Sequence, residues 1–181
     1  RLAERMGPIE FMLPTLPHLH AAVSQAVEGW RVKPRIVVGP IEKEAAFRSA
    51  RAALAASGTV TLELALSGVP TIAAYRVAGW EAMIVRALIQ VRTVILANLV
   101  LGEKVVPEFL QERCTPEALA QALARIIAET PERRRQSAAF AKLPEIMGIG
   151  CLIPSEKAAE MVEQIVKDRP SAKVAEGVEA A

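Results

Sequence analysis

The chain has 181 residues, 52% of them hydrophobic and only 4% aromatic, a composition typical of an α/β protein rich in Ala, Leu and Val. Its 22 basic and 20 acidic residues leave a net charge of +2, which is too balanced to indicate nucleic-acid binding. Cys114 and Cys151 form no CxxC pair, so neither a zinc site nor a disulfide framework is predicted, and a reducing cytoplasm is the default compartment.

Strands and helices alternate in the first part of the chain. A strand is predicted over residues 9–14 and a helix over 19–30, where apolar residues recur at helical spacing. A buried strand follows at 35–39, then a helix at 41–49 and a short strand at 52–56. Strands separated by helices indicate an α/β fold with a Rossmann-like parallel sheet, in which ligands bind at the carboxyl ends of the strands.

The most informative segment is 56–70, which joins a turn of small residues to a helix that carries a carboxylate. The turn contains Ser57, Gly58 and Thr59, and the helix start behind it exposes unpaired N–H groups with partial positive charge. Such a helix start binds a diphosphate without a metal. Glu63 lies about one turn deeper, where a carboxylate can accept hydrogen bonds from two ribose hydroxyls. The alternative is a buried helix with an ordinary Ser or Thr cap.

Further polar residues follow the next predicted strands. Residues 71–75 continue the sheet, and Arg76 then either projects toward a bound ligand such as a diphosphate or pairs with a carboxylate at the sheet edge. A helix is predicted over 78–90, and the β-rich run 93–96 is predicted as a strand that Asn98 stops. The Asn98 amide either satisfies loop backbone or touches the ligand.

Beyond Gly102 the pattern becomes helical. A helix would present Glu108 and Gln111 on one side, because they are spaced i to i+3. Threonine caps followed by proline predict two further helix starts, at residues 115–117 and 130–132. The arginines at 133–135 indicate a solvated helix face, with anionic lipid as the alternative partner. A last helix is predicted over 155–167, and residues 171–181 are expected to fray.

Four of these segments occur in a recognisable order, at residues 56–70, 70–76, 98–102 and 106–112. This succession closely resembles the C-terminal half of the lipid-A-disaccharide synthases, from about residue 11 to the helix that begins near 115. The resemblance implies a transferase built from two Rossmann domains, the GT-B architecture. It also implies that residues 1–168 form an incomplete C-terminal UDP-sugar-binding domain and that 169–181 form a disordered tail.

The reaction that the resemblance implies joins UDP-2,3-diacylglucosamine to 2,3-diacylglucosamine 1-phosphate, giving UDP and a β-1,6-linked lipid A disaccharide. The chain would supply the donor-binding half, through residues Ser57, Gly58, Thr59, Glu63, Arg76, Asn98, Glu108 and Gln111. The catalytic base is expected in an N-terminal half. No metal or cofactor is expected, because no DxD-like carboxylate pair follows a strand near the turn. The chain opens at Arg1 and lacks the family's Gly-Ser-Arg segment, which we interpret as a truncation.

The diacyl substrates imply a peripheral enzyme at the cytoplasmic face of the bacterial inner membrane. No apolar run approaches the roughly 18 residues that span a bilayer. The predicted helix 78–90 carries an apolar stripe beside arginines, which would suit a membrane surface or, alternatively, the protein core. The sequence leaves the oligomeric state open, a homodimer included.

Other functions remain open at this point. His18 and His20 indicate a loop or helix-entry role, and the resemblance adds a place for His18 in the donor cleft. Another UDP-sugar enzyme of the same architecture, such as the peptidoglycan transferase or a UDP-N-acetylglucosamine epimerase, is the nearest alternative. A non-catalytic membrane-association module is an alternative of a different class. UDP binding would distinguish the enzymes from that module.

Overall fold

The computed structural model describes residues 2–56, 58–76, 93–150 and 154–167. Two compact units are present, residues 1–147 and 148–181. The described elements of the first unit are, in chain order, α1 (Leu2–Met6), β1 (Met12–Thr15), α2 (His20–Val27), β2 (Arg35–Val38), α3 (Pro40–Ser49), β3 (Ala53–Ala55), α4 (Thr59–Leu66), β4 (Thr71–Tyr75), α5 (Leu96–Leu101), β5 (Glu108–Leu110), α6 (Pro116–Ile127), α7 (Pro131–Phe140) and α8 (Leu143–Ile146). In the second unit, α9 spans Pro154–Lys167, as the sequence predicted.

All described strand pairs are parallel, which confirms the predicted α/β class with a Rossmann-like sheet flanked by helices. Strands β1 and β2 form one sheet, with Thr15 opposite Val38, and β3, β4 and β5 form a second sheet in that order. Ala55 lies opposite Ala73, and Tyr75 lies opposite Leu110. The register therefore aligns the carboxyl ends of β4 and β5 at one edge.

Two apolar clusters hold the helices on the sheets. The larger is formed by α4, β4, α5, α7 and α8 with the loop before β5, and its buried members are Ala65, Ala73, Ile95, Ala97, Val105, Val106, Ala139, Phe140 and Leu143. The smaller joins Phe47 of α3 to Ala55, Leu64 and Val69 around α4. Helix α4 belongs to both clusters, so its position is fixed from both sides.

Two predicted elements are wrong. The run 93–96 is not a strand that Asn98 stops, because Asn98 is the third residue of helix α5, which ends at Gly102 with φ +69°. Glu108 and Gln111 do not share a helix side, because Glu108 opens strand β5 and Gln111 begins a 3-10 turn at Gln111–Arg113. Strand β1 also lies later than predicted, at Met12–Thr15 rather than 9–14.

The predicted helix caps are confirmed, and the predicted arginine face is partly wrong. Thr115 and Thr130 accept hydrogen bonds from the backbone N–H groups of Ala118 and Arg133. The Arg133 side chain is only 15% exposed, and it donates to the carbonyls of Arg51 and Ile126 at 2.7 and 2.6 Å. Arg133 therefore belongs to the fold rather than to a solvated face.

Several predictions fall outside the described residues, namely Ser57, the apolar stripe on the predicted helix 78–90 and the tail 171–181. Within the part of the chain that the structure describes, no helix is both long and apolar enough to cross a bilayer.

Candidate nucleotide-binding site

The turn between β3 and α4 depends on Gly58. Its φ of +135° and ψ of −166° lie in a region that only glycine adopts readily. A Cβ built on Gly58 would meet no atom within 4 Å, so the requirement for glycine comes from the backbone rather than from space. Thr59 follows as the exposed first residue of α4, at the carboxyl end of β3.

Helix α4 starts without a side-chain cap on its N-cap residue, Gly58. The buried hydroxyl of Thr61 instead donates to the Gly58 carbonyl at 2.8 Å and holds the turn against the helix. Helices α6 and α7, by contrast, are capped by threonine hydroxyls. The backbone N–H groups at the α4 start are therefore suited to an anionic ligand.

Glu63 lies in the second turn of α4, as the sequence predicted, and it has a partner that the sequence did not suggest. Lys43 Nζ lies 2.7 Å from Glu63 Oε2, with the two side chains 38% and 42% exposed. Lys43 belongs to α3, which begins at the carboxyl end of β2 after Gly39, a residue with φ +104°. Strands β2 and β3 are thus each followed by a glycine and then a helix. Lys43 and Glu63 lie in the early turns of those two helices.

Lys43 is itself anchored on the smaller apolar cluster. Its ammonium lies 5.7 Å from the centroid of the Phe47 ring, and Phe47 is buried. A cation at that distance from a ring face is attracted by the ring quadrupole. The chain of contacts therefore runs from the core, through the ammonium, to the Glu63 carboxylate.

Arg76 and Gln111 follow two adjacent strands at the same edge of the second sheet. Each directly follows a strand, β4 or β5, whose last residues, Tyr75 and Leu110, lie opposite each other. Arg76 is exposed, and Gln111 has a φ of +49°, the one positive φ at a non-glycine residue in the described chain. Both positions lie where parallel sheets bind ligands.

Asn98 and Glu108 form a separate cluster. Asn98 is 1% exposed, and its Nδ2 donates to the Val106 carbonyl at 2.9 Å and to Glu108 Oε1 at 3.2 Å. Its Oδ1 accepts from the N–H groups of Val105 and Val106 at 2.9 and 2.8 Å. The Glu108 carboxylate also accepts from the Thr93 hydroxyl. Of the two alternatives for Asn98, the structure shows the one in which the amide satisfies backbone, and a ligand role for Asn98 or Glu108 stays a prediction.

The two histidines lie at the entry to helix α2. His18 lies in the 3-10 turn Pro17–Leu19 and His20 opens α2, both exposed, which agrees with a helix-entry role. Among the described residues, no group of three or more His, Cys, Asp or Glu side chains is placed to hold a metal ion.

Sequence reasoning missed three side chains that shape this region: Lys43, Thr61 and Gln136. Gln136 is buried and fixes the start of β4 by accepting from the Thr71 N–H and donating to the Thr71 carbonyl. Lys43 did leave a signal in the sequence. It follows the Gly39-Pro40 turn by about the same distance at which Glu63 follows Gly58, and it has the opposite charge.

Comparisons with known proteins agree with this architecture. The family model described as Lipid-A-disaccharide synthetase matches residues 2–162. The chain is 57% identical over 162 residues to the lipid-A-disaccharide synthase of Bradyrhizobium diazoefficiens, covering 90% of this chain and 41% of that enzyme. It is 58% identical to the synthase of Nitrobacter hamburgensis, covering 86% of this chain and 39% of the enzyme.

A more distant relative extends the comparison. The lipid-A-disaccharide synthase of Rhodospirillum centenum is 39% identical over 168 residues, covering 93% of this chain and 42% of that protein. The chain thus spans about two fifths of the length of the curated relatives that it matches. With the family model matched over most of its length, the chain belongs to the lipid-A-disaccharide synthase family.

Proposed function

We propose that this chain is the donor-binding part of a lipid-A-disaccharide synthase, a transferase of the GT-B type. The reaction transfers 2,3-diacylglucosamine from UDP to 2,3-diacylglucosamine 1-phosphate and forms the β-1,6 disaccharide of lipid A biosynthesis. Membership of the family favours this reaction over that of other UDP-sugar enzymes and over a non-catalytic membrane module.

The observation that carries the proposal is the placement of Glu63 one turn behind a helix start whose N-cap residue, Gly58, has no side chain to cap it. The diphosphate binds at the N-terminus of α4, where backbone N–H groups and the helix dipole favour negative charge. The Glu63 carboxylate accepts hydrogen bonds from the two ribose hydroxyls. Arg76 and Gln111 at the aligned ends of β4 and β5 line the same edge of the sheet.

In the proposed mechanism, the 6-hydroxyl of the acceptor attacks the anomeric carbon of the donor as UDP departs, with inversion. The residues of this chain bind UDP and stabilise the charge that develops on its diphosphate, through the α4 N–H groups and Arg76. The general base that takes the hydroxyl proton belongs to the part of the relatives that this chain does not match. Neither a metal nor a cofactor takes part.

The proposal includes a membrane surface, because both sugar substrates carry acyl chains. The enzyme acts peripherally at the cytoplasmic face of the inner membrane, and the apolar stripe on the predicted helix 78–90 is the proposed contact. A homodimer is compatible with the proposal.

Calorimetric titration of UDP and 2′-deoxy-UDP into this chain tests the ribose assignment. Glu63→Gln keeps the size of the side chain but removes its charge, and a charge-assisted hydrogen bond contributes about 1.5–3 kcal/mol. We therefore expect the affinity for UDP to fall roughly 10- to 100-fold. The parent is expected to bind UDP more tightly than the deoxy ligand, and Glu63→Gln is expected to lose that preference.

Glu44→Gln is the matched control, because Glu44 is an exposed residue of α3 whose ion-pair partner is Arg48. It should bind both ligands like the parent. An equal preference for UDP in the parent and in Glu63→Gln would contradict the ribose assignment. A folded parent that binds no UDP would contradict the donor-binding function itself.

A further inference from the structure

Lys43 is a half-exposed side chain whose position is fixed by two contacts. Its ammonium lies 2.7 Å from Glu63 Oε2 and 5.7 Å from the Phe47 ring, so it has an anchor on the core and a partner at the candidate site. Its helix, α3, has no other role in the proposed nucleotide site. The contact crosses from α3 to α4, between residues 20 apart in sequence.

Stability alone does not account for this pair. Both side chains are about two fifths exposed, and ion pairs at such positions contribute little to the free energy of unfolding. A carboxylate offers about four acceptor sites on its two oxygens. The Glu63 carboxylate can therefore keep the bond from Lys43 and still accept from two hydroxyl groups.

Holding the carboxylate in place lowers the conformational free energy that is lost when a ligand binds. A flexible glutamate on a helix surface must be immobilised when a ligand binds, and each immobilised side chain of this kind costs about 0.5–1.5 kcal/mol. The contacts from Phe47 to Lys43 and from Lys43 to Glu63 fix the carboxylate before a ligand arrives.

We propose that Lys43 is a positioning residue that holds the Glu63 carboxylate in one orientation for a vicinal diol such as that of a ribose. Lys43 acts through Glu63 and makes no contact with the nucleotide. The proposal rests on the proposed function, since it requires that Glu63 bind the ribose. By positioning Glu63, Lys43 strengthens the preference of the site for a ribonucleotide over a deoxyribonucleotide.

The test is a titration of UDP and 2′-deoxy-UDP into Lys43→Met. Methionine keeps an unbranched apolar side chain on Phe47 and favours helix, but it removes the ammonium. We expect the UDP affinity to fall roughly 3- to 10-fold, while the affinity for 2′-deoxy-UDP changes much less. Circular dichroism of each variant checks that the fold is retained.

Two further variants sharpen the test. Arg48→Met is the matched control. It removes an exposed cation from the same helix, but that cation pairs with Glu44 rather than with Glu63. It should bind both ligands like the parent. Lys43→Arg keeps a cation and is expected to recover most of the preference for UDP over 2′-deoxy-UDP. If its preference were no greater than that of Lys43→Met, a cation at this position would not be what the site requires.

A double-mutant cycle with Glu63→Gln separates positioning from an independent effect. If Lys43 acts only through Glu63, then adding Lys43→Met to Glu63→Gln should cost no further UDP affinity. Additive losses, or equal losses for both ligands in Lys43→Met, would overturn the proposal, because Lys43 would then act on the diphosphate directly. Parent-like behaviour of Lys43→Met would also overturn it. In these cases the parent still prefers UDP, whereas a parent without that preference would show that the proposed function of Glu63 itself is wrong.

Discussion

At the scale of single residues, two buried amide side chains do most to organise the segment that leads into β5. Asn98 pairs with the N–H groups of Val105 and Val106, and Gln136 donates to the Val105 carbonyl at 3.2 Å. Gln136 also pairs with both backbone groups of Thr71. An amide can donate and accept at once, which is why it can replace a missing strand partner at such positions.

We expect Asn98→Leu to destabilise the fold by roughly 2–4 kcal/mol. The substitution keeps the volume but removes the Asn98 acceptor of the Val106 N–H and the Asn98 donor to the Val106 carbonyl, and each buried unsatisfied group costs about 1–3 kcal/mol. The Val105 N–H keeps the Glu103 carbonyl as an acceptor at 3.0 Å. Urea denaturation followed by circular dichroism measures the change. Gln121→Leu, which removes an exposed amide from α6, should change stability by less than about 0.5 kcal/mol. A loss as small in Asn98→Leu would show that the amide bonds contribute little.

At the scale of elements, the corner between α6 and α7 is tied to the loop before β3. Arg51 donates to the Ile127 carbonyl at 2.9 Å and pairs with the Glu129 carboxylate. Arg133 reaches the same loop through the Arg51 carbonyl and lies 3.5 Å from Glu129. The hydrogen bond from Arg51, together with the charges of Arg51, Arg133 and Arg134, holds the pKa of Glu129 below its usual value.

This lowered pKa predicts a dependence of stability on pH. A carboxylate whose pKa is lower in the folded state stabilises the fold above its unfolded pKa, near 4.5, and loses that contribution as the pH falls through the folded pKa. Glu129→Gln should therefore lose stability relative to the parent at pH 7, with the difference shrinking as the pH falls below about 4.5. Denaturation curves between pH 7 and the acid limit of folding measure this difference.

Arg51→Met is the companion variant, because the hydrogen bond from Arg51 is the largest cause of the lowered pKa of Glu129. Its stability should depend on acid pH less steeply than that of the parent. If the parent and Glu129→Gln instead differed by the same amount at every pH, the carboxylate would not be the titrating group.

How far the sequence predicted these elements depended on how local each signal was. The caps at Thr115 and Thr130 were predictable, because a threonine, a proline and an early carboxylate act within one turn. Strand β1 lies later than the predicted range 9–14 because a proline does not end it: Pro14 lies within the strand, opposite Val37. Proline lacks an N–H but is tolerated in edge strands, and β1 has β2 as its neighbour in the described sheet.

In the candidate site, too, the features with a local sequence signal were predictable and those that depend on distant contacts were not. Glu63 and the glycine turn were predictable, because a helix start and a carboxylate one turn later are close in sequence. The helix around Asn98 was not, since the β-branched run before it favours a strand and only distant partners such as Val106 make a buried amide acceptable. The Lys43 contact depends on how α3 and α4 are packed, so the spacing of Lys43 from Gly39 indicates where the cation lies in its helix but not that Glu63 is its partner.

At the scale of the whole molecule, the chain corresponds to about two fifths of its curated relatives. The described residues provide the helix start, the carboxylate and the sheet edge of the proposed nucleotide site. The proposed acceptor site and general base belong to the remaining three fifths of those relatives, so binding and turnover should be separable in this chain.

We therefore expect this chain alone to bind UDP but to form no disaccharide from UDP-2,3-diacylglucosamine and 2,3-diacylglucosamine 1-phosphate. Mass spectrometry of an extended incubation with both substrates checks for product. A full-length relative, such as the Bradyrhizobium diazoefficiens enzyme, is the positive control under the same conditions. Product from the purified chain would show that the catalytic base lies within it.

The tie between the loop before β3 and the α6–α7 corner also bears on how the chain forms during synthesis. The hydrogen bond from Arg133 to the Arg51 carbonyl joins residues 82 positions apart. A ribosome that adds about 5–20 residues per second needs roughly 4–16 s to make that interval. Throughout that time the nascent strand β3 lacks the contact that fixes its entry. The glycine turn and Glu63 are synthesised before α6 and α7, so a chain released before α7 would carry the proposed nucleotide-binding residues without the contacts that hold strand β3 in place.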